Sequence, residues 1–157
     1  MLVVKNLNFG YHNIELIKDL SFLVGAGELV QIVGDNGRGK TTLLSIIAGL
    51  TTPNSGEITC MDARGTIVKD SRTISEYLPA EANGHYGKLD ALANLRYWSE
   101  LRGHSFQRQA TIDVLKEWGL GHPLFREHFP VEKFSTGMKR RLALARVAIA
   151  RTPIWLL

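Results

Sequence analysis

Gly34-Asp35-Asn36-Gly37-Arg38-Gly39-Lys40-Thr41-Thr42 fits the pattern G-x-x-x-x-G-K-[ST], a loop whose backbone N–H groups wrap the phosphates of a nucleoside triphosphate. Each residue type has its own reason. Glycine at 34, 37 and 39 permits backbone angles and close approaches that a Cβ forbids. The loop amides form an anion-binding concavity at a helix N-terminus, where the helix dipole also favours negative charge. Lys40 supplies a point charge for the outer phosphates, and the Thr41 hydroxyl suits a magnesium ion. The flanks agree with this reading. Residues 28–33, Glu-Leu-Val-Gln-Ile-Val, predict a buried strand entering the loop, and residues 41–50 predict a helix leaving it. A glycine-rich surface turn, the alternative, does not require that strand–loop–helix order.

With 157 residues, 45% of them apolar, the chain is long enough for one domain with a substantial core. A net charge of +4 suits a phosphate ligand, an acidic membrane surface or nucleic acid and selects none of them. Lys139-Arg140-Arg141 is the densest basic run and reads as a solvated helix face. The single cysteine, Cys60, excludes an intramolecular disulfide and a cysteine-built metal cage, and fits a reducing, cytosolic setting. Residues 1–6 form a short strand pattern without signal-peptide anatomy. No apolar run approaches the roughly 20 residues that span a bilayer. A soluble or peripheral protein is expected.

Strand patterns fill the first half: residues 2–9, 20–24, 57–61, 66–69 and 73–78, with a turn at 52–56. The character changes at Pro79. A polar, glycine-spiked loop over 81–87 leads into helical patterns at 91–102, at 106–118 with Ser105 as N-cap and Gly119 past the end, and at 136–150. Trp98 and Trp118 are expected in the core. Met138, Leu142, Ala145 and Ile149 form the apolar stripe of the last helix, and Ile154-Trp155-Leu156-Leu157 begins a buried strand. The pattern predicts an α/β fold of one domain, 1–157, with a helical subdomain over 80–130.

Phe134-Ser135-Thr136-Gly137-Met138 stands at a loop-to-helix junction, with Ser135 placed as an N-cap. A phosphate loop followed about a hundred residues later by such a segment, just before an apolar strand, resembles the nucleotide-binding subunit of an ATP-binding-cassette (ABC) transporter. The resemblance covers the whole chain. It implies a P-loop NTPase cassette with an N-terminal antiparallel β layer and a helical insert, binding ATP and Mg2+. Tyr11 matches an aromatic that stacks on adenine, though a simple turn aromatic after Gly10 is the plainer alternative. Residues 34–42 match the Walker A loop, 135–138 the signature, and 154–157 the apolar run of the Walker B strand. In this family two subunits pair head to tail on ATP, which gives Ser135 and Gly137 a phosphate contact in trans. A transmembrane permease subunit is the implied second partner, met on the inner face of the cell membrane. No nucleic acid is expected. Within the family, Gly27-Glu28-Leu29-Val30-Gln31-Ile32 and Arg151-Thr152-Pro153-Ile154-Trp155 resemble the haem-exporter subunit of cytochrome c maturation.

The chain departs from the family pattern in three ways. Thr136 and Met138 replace a glycine and a glutamine of the usual signature. At the family's magnesium-sensing glutamine stands Ala80-Glu81-Ala82, so that Glu81 is the candidate metal residue beside Thr41. The Walker B aspartate and the catalytic glutamate are placed by the resemblance beyond Leu157, so no residue of this chain is assigned a catalytic role. None of His12, His85, His104, His122 or His128 matches the switch histidine. Binding without hydrolysis is therefore expected of the 157 residues alone. Three other classes compete. A soluble ABC ATPase of translation or DNA repair would bring tandem cassettes or basic extensions. A GTPase would bring a guanine-reading Asn-Lys-x-Asp run, which is absent. A non-hydrolysing nucleotide-binding module needs nothing further.

Overall fold

The computed structural model describes residues 1–12, 14–62, 64–68, 70–79 and 84–157. They divide into two compact units, residues 1–77 with 153–156, and residues 78–152 with 157.

The first unit is built on an antiparallel sheet in the order β2-β1-β3-β4, from β1 (Leu2–Tyr11), β2 (Ile14–Val24), β3 (Ser55–Met61) and β4 (Ile67–Val68). β1 runs down its middle, pairing Leu2 with Val24 on one side and with Cys60 on the other. The core side chains of β1 change parity along the strand: Leu2 and Val4, then Leu7 and Phe9, all buried. An extra residue must be absorbed between the two pairs for both to face inward. The ladder accordingly shifts register between Val4 and Leu7, where Asn6 takes φ 48° and donates its N–H to Ser21 Oγ at 2.8 Å. Helix α1 (Lys40–Ile47) buries Leu43, Ile46 and Ile47 in the same core. β5 (Ser75–Tyr77) pairs in parallel with β6 (Ile154–Leu156), which adds Leu156.

One expectation fails here. Residues 28–33 form no strand, and Leu29, Val30 and Val33 are 96%, 50% and 82% exposed. Only Ile32 leans on the core. A continuous apolar run of this kind belongs to a strand with neighbours on both edges. No described residue supplies a ladder to it, and backbone groups without a ladder stay with water.

The second unit is helical: α2 (Ala91–Leu101), α3 (Arg108–Glu117), the short α4 (Pro123–Arg126) and α5 (Thr136–Ala150). Its core joins Leu92 and Leu95 of α2, Ile112 and Leu115 of α3, Leu142 and Ala145 of α5, and Leu120, Val131 and Phe134 from the connections. Gly103 and Gly119 take φ 73° and 69° just past α2 and α3, the left-handed turn that ends a helix. The start of α3 corrects the sequence reading. Gln107, not Ser105, is the N-cap, and it makes no side-chain cap bond. Trp98 and Trp118 are half-buried rather than in the core: Trp118 packs on the core, while Trp98 stacks under the Arg146 guanidinium at 4.6 Å.

Candidate nucleotide site

The phosphate loop lies in the first unit. Residues 34–38 are exposed, so Asp35, Asn36 and Arg38 contribute backbone rather than packed side chains. Gly37 and Gly39 take φ 81° and 84°, angles at which any Cβ is strained. Gly39 is the N-cap of α1 in the left-handed region, and its carbonyl accepts the Leu43 N–H at 2.8 Å. The first turn of α1 carries no acidic residue and no side-chain cap. Its leading amides, including those of Thr41 and Thr42, are therefore left to an external anion, with the positive end of the helix dipole behind them. Lys40 reaches back across the loop and donates from Nζ to the carbonyls of Gly34 at 2.6 Å and Asp35 at 2.8 Å. Its ammonium is thus fixed at the loop mouth before any ligand arrives.

β2 packs directly on this loop: Leu16 Cβ would stand 3.5 Å from a Cβ at position 39. Tyr11 faces Ile14, two residues before Leu16, across the β1–β2 pairing, so the hairpin end carrying Tyr11 lies about 7 Å along the strand from the loop contact. The Tyr11 ring is 56% exposed and held edge-on by Phe9, with centroids 4.9 Å apart at 87°. The ring is thus anchored on Phe9 and more than half exposed.

In the second unit Ser135 is the N-cap of α5, as its position in the sequence implies. It accepts the Met138 N–H at Oγ (3.2 Å) and the Lys139 N–H at its carbonyl (2.9 Å). Gly137 is open: apart from its own helix, nothing lies within 4 Å of where a side chain would begin. Phe134, immediately before, is buried and stacks on Phe129 at 6.0 Å, which fixes where α5 begins. The basic run behind it is not simply solvated: Arg140 donates to the Pro79 carbonyl and Arg141 to that of Gly119. Glu81 lies outside the described residues.

Two side chains of this unit escaped the sequence reading. Asn94 is fully buried at the start of α2 and bonds to the backbone of Tyr86, Leu89 and Asp90. His85 donates from Nε2 to the Lys139 carbonyl at 3.0 Å, while its buried Nδ1 has no hydrogen-bond partner among the described residues. Burial pushes its pKa below the ordinary histidine value; the Lys139 carbonyl opposes that shift, and the charges of Arg146 and Lys139 add to it. A signal for Asn94 was present: it falls on the apolar stripe of α2, between Ala91 and Leu95, where a polar side chain must find partners.

Residues 34–42 combine left-handed glycines, a lysine held across the loop and a helix N-terminus without a side-chain cap, an arrangement suited to an anion. No cluster of three His, Cys, Asp or Glu is found among the described residues.

Known proteins agree with this geometry. The sequence profile of the ABC transporter family matches residues 17–157. The "Cytochrome c biogenesis ATP-binding export protein CcmA" of Vibrio cholerae is 40% identical over 159 residues, covering all of this chain and 74% of that protein. A solved "ATP binding subunit of ABC transporter" superimposes with a TM-score of 0.79 at 29% identity, over 98% of this chain and 64% of that one. A dimeric cassette, MJ0796, solved in a post-hydrolysis state with ADP and Pi, gives a TM-score of 0.80 at 24% identity, over 99% and 72% of the two chains. The chain belongs to the ABC transporter family and folds as its ATP-binding cassette.

Proposed function

We propose that this chain binds Mg-ATP as the cassette of an exporter serving cytochrome c biogenesis, with haem as the cargo class that its resemblance suggests. The observation that carries the ATP assignment is the uncapped, acid-free first turn of α1 behind two left-handed glycines, with Lys40 anchored across the loop. In this reading residues 34–42 hold the phosphates, Thr41 takes the metal, and Tyr11 stacks on the base. Glu81, at the position where the resemblance puts a glutamine, is the second metal candidate by its place in the sequence. ATP supplies the negative phosphates that complete the α1 N-terminus and the free energy that the transporter uses.

Ser135 and Gly137 act in trans, on nucleotide held by a second subunit. Support comes from their place at the N-terminus of α5, whose first turn carries no acidic residue. The fold-level likeness to a dimeric cassette adds to it. A transmembrane permease subunit would be met by the helical unit, on the inner face of the membrane. No helix among the described residues is long and apolar enough to cross a bilayer itself. The carrier of export specificity would then be the permease.

Titration calorimetry with ATP and with adenosine, each with magnesium, tests the core of this reading. ATP is expected to bind well over tenfold tighter, because only ATP reaches the loop and the α1 dipole. Equal affinity for the two would sink the phosphate-loop assignment.

A further inference from the structure

We propose that Asn94 is a positioning residue that makes loop 84–90 and the segment carrying Ser135 move as one body. The proposal rests on the reading of Ser135 and Gly137 given above, and it adds how their position is set.

The Asn94 side chain is 0% exposed. Its Oδ1 accepts the Tyr86 N–H at 2.8 Å, and its Nδ2 donates to the Tyr86 carbonyl at 3.0 Å. The amide therefore pairs with Tyr86 in both directions, as a neighbouring strand would. The same Nδ2 reaches the carbonyls of Asp90 at 2.9 Å and Leu89 at 3.3 Å. Two N–H hydrogens serve three carbonyls, so one hydrogen is shared. These partners also fix which end of the amide is oxygen, since a backbone N–H can only donate and the carbonyls can only accept. A loop of seven residues is thus folded around one side chain.

The outer side of that loop grips the segment leading into and beyond the signature. The Gly87 carbonyl accepts the Glu132 N–H and the Leu89 carbonyl accepts the Val131 N–H, both at 2.9 Å. Asp90 caps Ala93 with Oδ1 and receives the His128 N–H on Oδ2 at 3.2 Å. His85 donates to the Lys139 carbonyl in the first turn of α5. The four ties run from residue 128 to residue 139 and bracket Ser135. Lys88 and Glu132 add an ion pair at 3.4 Å, but both side chains are exposed and it contributes little. Loop 84–90 begins three residues after position 81, where the family resemblance puts the metal-sensing residue. A displacement of the loop is handed to Ser135 only while the loop keeps its shape, and Asn94 keeps it.

The test uses hydrogen exchange on the 157-residue chain, wild type and Asn94→Asp. Aspartate retains the acceptor for Tyr86 but turns a charged oxygen toward three carbonyls. At neutral pH the amides of Tyr86, Val131, Glu132 and Met138 should lose at least tenfold in protection, with those of α3 and of Leu43 unchanged. On acidification the carboxyl takes a proton and regains a donor, and protection at all four should return. Loss confined to Tyr86 would make Asn94 a local loop brace and overturn the proposal. Loss spread through α3 would make it a general core residue and overturn it equally. If Asn94→Asp does not fold, the wild type alone decides. With rising urea the four amides should merge onto one opening isotherm before α3 opens, and separate isotherms for Tyr86 and Glu132 count against coupling. ATP affinity in the same samples keeps the two ideas apart: a chain that binds no ATP refutes the nucleotide reading, whatever the exchange pattern.

Discussion

The Lys40 ammonium donates to the Gly34 carbonyl at 2.6 Å, closing the phosphate loop with its own cation. Two consequences follow from that contact. The positive charge is held at the loop mouth by partners that only accept, so phosphate oxygens can join them without unpairing a donor. The lysine also braces the loop through its second bond, to Asp35.

Lys40→Ala should therefore weaken ATP far more than adenosine. A hydrogen bond to a charged group contributes about 1.5–3 kcal/mol, which is roughly 10- to 150-fold in affinity. Tyr11→Ala should weaken ATP and adenosine alike, by about 1–3 kcal/mol if base–aromatic stacking in nucleic-acid binders is the guide. Calorimetry on the two variants separates the phosphate contribution from the base contribution. A Lys40→Ala chain with wild-type ATP affinity removes the loop from the site.

Two glycines should respond to alanine in opposite ways. Gly39 sits at φ 84° with ordinary contacts around it, so Gly39→Ala costs backbone strain, about 1–2 kcal/mol. Its ATP affinity should fall as well, because the strained residue leads α1. Gly137 lies in the first turn of α5 with open space around it. There alanine should stabilise by up to about 1 kcal/mol, through helix propensity. ATP binding by the single chain should be unchanged, since the proposed role of Gly137 is in trans. Thermal melts of both variants with and without Mg-ATP check the pair.

The pH dependence of stability should carry the mark of His85. The unfolded chain binds a proton at this residue near 6.5, while burial moves the folded value lower. Below about 6.5 the unfolded state therefore binds more protons, and stability rises with pH. The contribution of neutral His85 is complete above that value and is lost as pH falls toward and through the folded value. His85→Gln keeps a donor for the Lys139 carbonyl and does not titrate. Its melting temperature should fall less than that of the wild type between about pH 7 and pH 5. Parallel pH profiles would show that His85 is not the group responsible.

What could be read from the sequence was what is local. Gly34 to Thr42 announces its chemistry because every requirement, turn, cation and helix start, falls within nine residues. Ser135 was legible as a cap for the same reason: its partner, Met138, is three residues away. The failures are non-local. The strand expected at 28–33 depends on ladder partners that no local pattern reveals. The cap of α3 moved from Ser105 to Gln107, where Phe106 packs on the helical core and under Arg96 at 5.7 Å. Asn94 was passed over because its partners are backbone atoms of a preceding loop, and backbone leaves no trace in composition.

The exposed run at 28–33 leads to a last expectation, that the 157-residue chain self-associates. Leu29 and Val33 turn apolar side chains to water beside a backbone without a ladder, a template for pairing with another chain. The segment combines Leu, Val and Ile with one charge, Glu28, and no proline, the composition of an aggregation-prone stretch. Light scattering on the wild type should give a mass above 17.5 kDa that rises with concentration. Leu29→Lys places a charge on the most exposed of these side chains and should bring the mass back toward the monomer. It lies five residues before Gly34, so ATP affinity should persist. A wild type that stays at 17.5 kDa at every concentration would show that water alone satisfies this edge. Association that survives Leu29→Lys would move the sticky surface elsewhere. The outer edge of β6, where Trp155 is 48% exposed, is the next place to put a lysine.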